Sequence, residues 1–168
     1  MTAMALVVLG LGNDLLGDDT AGLLAAEQLD GRLGPQTTVR RTAQSGLYLI
    51  EHLQGFDDAI VIDTILGDRP GHVRELDASA FAPIRVPSAH DTGLPEALAL
   101  ARRAGLRVPS RLRIFAVEIS PSQRIGAPPS PEIIAAIPEV VARVTEVAAG
   151  WGYAMPSSRP TRAGATHA

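Results

Sequence analysis

Ala5 to Leu9 (ALVVL) is an unbroken apolar run that ends at Gly10-Leu11-Gly12, the pattern of a strand buried on both faces. Leu23, Leu24, Ala25 and Leu29 then recur at helical spacing within Ala21 to Leu29, closed by Asp30-Gly31. Thr37 to Thr42 is rich in β-formers and predicts a second strand, and Leu47 to Leu53 a short helix. Ala59 to Ile65 (AIVIDTI) reads as another buried strand, interrupted by one acid, Asp63. A turn at Gly67-Asp68-Arg69-Pro70-Gly71 leads into an edge strand from His72 to Leu76. Helical patterning returns from Pro95 to Ala104, and Leu112 to Ile119 is the last strand. Ser130 and Pro131 then supply an N-cap and a first helical position. The helix they open has an apolar face through Ile133, Ile137, Val141 and Val144, with Pro138 predicting a kink or break inside it.

Strand and helix alternate, which predicts an α/β fold, a three-layer α/β/α sandwich around a mostly parallel sheet. A single domain is expected over residues 1–153. Residues 154–168 are small, polar and proline-containing and read as a flexible tail.

Composition narrows the function. Of the 168 residues 46% are hydrophobic and 20% charged, enough apolar material for a core. Cysteine is absent, which excludes disulfides, a thiol nucleophile, thiolate zinc sites and iron–sulfur ligation. All 15 basic residues are arginine, so neither a Schiff-base lysine nor a phosphate-loop lysine is present. A formal charge of -3 argues against general binding to nucleic acid or anionic membranes. No apolar stretch approaches the roughly 18 residues of a membrane span. Met1 to Val8 lacks the basic region of a signal peptide, and a soluble cytoplasmic protein is expected.

The segment Gly10 to Gly22 (GLGNDLLGDDTAG) holds the first candidate chemistry. A dinucleotide fingerprint would need glycine at position 15, where Leu15 stands, and Asp14, Asp18 and Asp19 would repel a pyrophosphate at the following helix. Helix capping accounts for Asp18. An acid at the carboxyl end of a first strand can instead serve as metal ligand or general base, because ligands of open α/β sheets bind at that edge. Asp63 lies near the end of its own apolar strand, where a carboxylate must be hydrogen-bonded, paired or metal-bound. It reaches the same edge if the two strands are parallel neighbours. His90 sits in a loop leading into a helix, a common place for functional groups. His52, His72 and His167 read as surface residues. Asp19, Asp63 and His90 together offer two carboxylates and an imidazole, suited to nickel or zinc with open positions, or to a metal-free acid/base cluster. H-E-x-x-H and G-x-S-x-G are both missing.

The run GLGNDLLGDDTAG resembles the N-terminal signature of the nickel–iron hydrogenase maturation endopeptidases, G-x-G-N-x-L-x-x-D-D/E-x-x-G. Asp63 and His90, the latter followed by Gly93-Leu94 and Glu96-Ala97-Leu98, fall in the expected order, and the resemblance spans about the first 150 residues. It implies an α/β/α sandwich around a twisted, mostly parallel sheet. It also implies removal of a short C-terminal extension from the precursor of the hydrogenase large subunit after nickel insertion. The family's nickel-contacting acid falls on Asp19, its strand acid on Asp63 and its histidine on His90, with Asn13 and Asp18 shaping the loop. Where some members carry glutamate, Asp19 is one methylene shorter. Nickel would arrive with the precursor and act as recognition element, possible Lewis acid or both, and zinc or cadmium could occupy the same site. The attacking group is a water activated by Asp19 or Asp63, or one bound to the metal. A monomer is expected. Two other readings stand beside this one: a metal-independent small-molecule hydrolase on a similar sandwich, and a maturation chaperone that binds a hydrogenase precursor without cutting it.

Overall fold

The first strand, β1 (Leu6–Leu11), is buried at every position, and its alternation feeds two separate cores. Leu6 and Val8 pack into one, with α1 (Ala21–Leu29) and α4 (Pro131–Gly150). Val7 and Leu9 pack into the other, with α2 (Leu49–Leu53) and α3 (Leu94–Arg103). The same period of two divides β3 (Asp58–Leu66): Ile60 and Ile62 face the first core, Ala59 and Val61 the second. The chain is described by a computed structural model over residues 4–76 and 93–157.

With β2 (Thr37–Thr42), β4 (Val73–Leu76) and β5 (Arg111–Ile119), the strands form one sheet in the order β2-β1-β3-β5-β4. Every pairing is parallel except that of the edge strand β4 with β5. The expected three-layer sandwich with a mostly parallel sheet is what forms. The chain leaves β1 toward β2 on one side and returns to place β3 on the other, so the strand order reverses between β1 and β3. That reversal opens a crevice at the carboxyl ends of these two strands. β3 also outruns its neighbour: its pairing with β1 ends at Gly10 opposite Ile62, while its pairing with β5 continues to Leu66. Asp63 is therefore the first β3 residue beyond the β1 ladder.

Three expectations are corrected. β1 continues through Gly10 and Leu11 instead of stopping at Leu9, because both residues stay in the ladder with β2. Ser130 has the extended backbone of an N-cap, but its hydroxyl makes no capping bond and is buried without a partner; the cap function comes from elsewhere, as shown below. Pro138 does not break α4, which runs as one helix from Pro131 to Gly150. Pro138 lies on the exposed side, where water can satisfy the carbonyl that loses its partner. The expected short helix at Leu47 begins as a 3-10 turn over Gly46–Tyr48 before α2. Residues 154–157 of the expected tail are exposed, and the remainder lies outside the described residues.

The far end of the sheet is closed by a buried ion cluster. Asp58, the first residue of β3, is fully buried and receives two 2.6 Å hydrogen bonds from Arg111 and one of 2.7 Å from the Tyr153 hydroxyl. Arg111 also lies over the Trp151 ring at 4.8 Å. Burial pushes the Asp58 carboxyl up, but Arg111 and Tyr153 outweigh it and hold the group below its ordinary value of 3.8. Its contribution to stability is thus complete above about pH 4 and is lost as pH falls through the lowered folded value. Tyr153→Phe, which leaves Asp58 one donor short, is expected to cost about 1–2 kcal/mol and to move the acid-unfolding midpoint to higher pH. Urea melts across pH 3–7 test this, and an unchanged midpoint would count against the cluster as the acid-sensitive element.

Candidate active site

Asp19 is placed by glycines. A Cβ at Gly10 would stand 2.3 Å from the Gly22 carbonyl oxygen, one at Gly22 2.2 Å from that of Leu11, and one at Gly12 2.2 Å from that of Asp19. Backbone thus lies directly on backbone where β1 meets the start of α1. Between them the chain makes a tight loop and a 3-10 turn over Gly17–Thr20. The Asn13 amide donates to the Asp19 carbonyl at 3.1 Å, the Asn13 side chain accepts from Leu15 at 3.0 Å, and the Asp19 amide donates to the Leu16 carbonyl at 2.7 Å. Asn13 therefore shapes the loop as the motif implied.

The three acids of the loop go separate ways. Asp14 is exposed. Asp18 is buried and accepts a 2.6 Å bond from the Ser130 amide, so it caps α4, not the helix that follows it. Its Oδ2 also accepts from the Gln123 side chain at 3.4 Å, while Gln123 Oε1 accepts the Asp18 amide at 3.1 Å. A bridge between Leu16 and Ile125, and a 2.8 Å bond from the Gly126 amide to the Leu15 carbonyl, bind the two loops together.

Asp19 is half-buried at the carboxyl edge and accepts a short hydrogen bond from the Thr64 hydroxyl. Asp63, in the neighbouring strand β3, accepts the Thr64 amide at 2.8 Å. β1 and β3 are parallel neighbours, and the two acids meet through Thr64. Burial raises the Asp19 carboxyl, opposed by the Thr64 hydroxyl and the Asn13 amide. Burial also pushes Asp63 up to about 7, against the Thr64 amide and with help from the neighbouring charge of Asp19. Among the described residues neither acid has an ion-pair partner, and each keeps a second oxygen uncommitted. Two such carboxylates form the donor set that a divalent cation relieves. No group of three acids or histidines closes among the described residues. His90, the third residue expected here, lies outside them, within residues 77–92.

A third buried acid at this edge, Glu118, is of a different kind. Arg69, His72 and Arg74 approach one of its oxygens at 3.7, 3.4 and 3.6 Å, and the Arg69 amide donates to the other at 3.2 Å. Although burial opposes them, His72 and Arg69 hold its carboxyl below the ordinary value. His72 and Glu118 are accordingly structural. Beside the Asp19 loop lies a hollow of about 400 Å³ with Leu23 and Leu24 on its floor and Thr20, Asp14, Glu27 and Arg41 around it.

Sequence reasoning missed Thr64 and Gln123. A hydroxyl directly after the strand acid was a usable signal for Thr64. Gln123, 105 residues from its partner, carried none.

The fold is an open, mostly parallel α/β sandwich whose topological switch point carries two acids that have no ion-pair partner among the described residues. The family model described as hydrogenase maturation protease matches residues 26–147, and the chain belongs to that family. It is 30% identical over 153 residues to the hydrogenase expression/formation protein HupD of Bradyrhizobium diazoefficiens, covering 88% of this chain and 79% of that protein. Among solved structures it is similar to the hydrogenase maturating endopeptidase HybD from E. coli, with a TM-score of 0.73 at 25% identity over 90% of this chain and 96% of the other. The maturation protease HycI from Thermococcus kodakarensis, at 21% identity and a TM-score of 0.65 over 86% of this chain and 92% of that one, shares the fold. The chain is a hydrogenase maturation endopeptidase.

Because the folded state holds the Asp63 proton up to about pH 7 and the unfolded state releases it near 3.8, stability declines as pH rises between those values. Asp63→Asn is therefore expected to stabilise the metal-free protein by about 2 kcal/mol at pH 8 and by little at pH 4. Thermal melts in chelator at both values check this; equal shifts at the two pH values would contradict it.

Proposed function

We propose that this endopeptidase removes the C-terminal extension from the precursor of a nickel–iron hydrogenase large subunit after nickel has been inserted, using Asp19, Asp63 and His90. The observation that carries the reading is the pair of half-buried acids brought together without a compensating cation among the described residues. In this reading nickel is part of the substrate. Held by the precursor, it completes its coordination with the free oxygens of Asp19 and Asp63 and the imidazole of His90, so that only a metal-loaded precursor is anchored for cutting. Zinc or cadmium satisfies the same donors.

Hydrolysis needs a water deprotonated for attack and a proton returned to the leaving amine. The water is activated by Asp19 or Asp63, or by the nickel itself. The nickel supplies recognition and can polarise the scissile carbonyl. The hollow beside the Asp19 loop offers a lodging for a side chain of the peptide next to the cut. The chain works as a cytoplasmic monomer whose partner is the precursor, with no nucleic acid or membrane involved. Consistent with that, no helix among the described residues is long and apolar enough to cross a membrane.

Intact-mass spectrometry of a nickel-loaded large-subunit precursor incubated with this protein, beside a nickel-free control, tests the reading. Loss of a C-terminal peptide from the loaded sample alone is expected. Loss from both would remove nickel as the gate, and loss from neither would favour the non-cutting chaperone. Asp19→Asn and His90→Ala are each expected to slow processing about 100-fold or more while melting like the wild type; full cleavage by both would remove them from the site.

A further inference from the structure

Strand geometry sets Asp63 and Thr64 on opposite faces of β3. By its alternation Asp63 follows Val61 toward the α2/α3 layer, and Thr64 follows Ile62 toward the α1/α4 layer. Asp19 arrives from the turn that opens α1, on the Thr64 side. Left to the backbone alone, the two acids would be divided by the strand. Thr64 spans the division: its hydroxyl donates to Asp19 Oδ1, and its amide donates to Asp63 Oδ1. Each bond engages one oxygen of one acid, so the second oxygens are the pair left for substrate. Among the described residues no other residue donates hydrogen bonds to both acids.

We infer that Thr64 is a positioning residue for the peptidase reaction, its hydroxyl fixing the rotamer of Asp19 so that the two acids present their free oxygens together. The inference rests on the proposed roles of Asp19 and Asp63. A β-branched side chain suits the task, since one favoured χ1 well on a strand keeps the hydroxyl aimed at Asp19. A carboxylate one methylene shorter than glutamate starts farther from the crevice, and the Thr64 hydroxyl fixes the direction in which that shorter side chain extends. The residue touches the acids and not the peptide, and because those acids both anchor and process the precursor, its loss lowers kcat/KM.

The test compares Thr64→Val, Thr64→Ser and Thr64→Ala in processing of a nickel-loaded precursor, with a thermal melt of each. If the hydroxyl matters, Ser stays within about threefold of wild type while Val and Ala lose kcat/KM by about tenfold to a hundredfold. A packing role gives the reverse order, with Val near wild type and both Ser and Ala impaired, and that order overturns the inference. Ser and Ala differ only in the hydroxyl, so their comparison decides the matter even if Val folds poorly. Wild-type protein that leaves its cognate precursor uncut would instead overturn the proposed function.

Discussion

Everything at the catalytic edge depends on the contact of bare backbone between β1 and the start of α1. Cβ atoms at Gly10, Gly12 and Gly22 would each fall within 2.3 Å of a carbonyl oxygen, far inside any real contact. Removing three side chains lets the helix start against the strand itself, with Gly22 also close to the Ile62 carbonyl of β3. Asp19 lies in the few residues between these glycines. Its carbonyl is fixed by Gly12 packing and by the Asn13 amide, so the position of its carboxylate follows from how near the helix can approach. These glycines have ordinary negative φ; they serve proximity and not an unusual backbone conformation.

The second constraint is a difference in strand length. If β3 ended where its ladder with β1 ends, at Ile62, its acid would fall in an irregular loop. Because β5 supports β3 through Leu66, Asp63 and Thr64 remain in regular strand after β1 has turned away. The loop that leaves β1 brings Asp19 to Thr64 of β3. A rigid sheet edge holds both acids more accurately than two loops would. The arrangement leaves two carboxylates near each other in a half-buried setting, a local loss of stability set at the functional edge.

Much of this was legible in the chain. The apolar runs at Ala5–Leu9 and Ala59–Ile65 mark buried strands, and the acid near the end of the second reaches the carboxyl edge once the two strands lie parallel side by side. What escaped was decided by partners distant in sequence. The cap of α4 was read as Ser130, the residue in the usual place, yet Asp18 reaches across 112 positions to accept the Ser130 amide, leaving the hydroxyl idle. β1 was ended at its glycines because glycine weakens strands in general; here the close approach of α1 requires it. Pro138 was weighed by its intrinsic penalty, without the knowledge that it faces water. Glu118 passed unremarked in an apolar strand, since the arginines and histidine that satisfy it belong to the turn and edge strand beyond.

Among the described residues six acids are wholly or partly removed from water, and their partners separate structure from chemistry. Asp57 is held by Arg107 and the Ala5 amide. Asp58 is held by a bidentate arginine and a tyrosine, Glu118 by two arginines and a histidine, and Asp18 by a helix-opening amide and a glutamine. In each case the donors come from the protein, and the charge is settled when the chain folds. Among the described residues Asp19 and Asp63 have only the Thr64 hydroxyl and amide and the Asn13 amide beside Asp19. Adjacent residues in the sequence, Asp18 and Asp19, thus have opposite fates for a physical reason: one is completed by its own fold and the other is not. Carboxylates that folding leaves uncompensated exert their attraction on whatever cation arrives. In a chain without cysteine or lysine, the glycine contact sets the unsettled acids beside each other at the sheet edge.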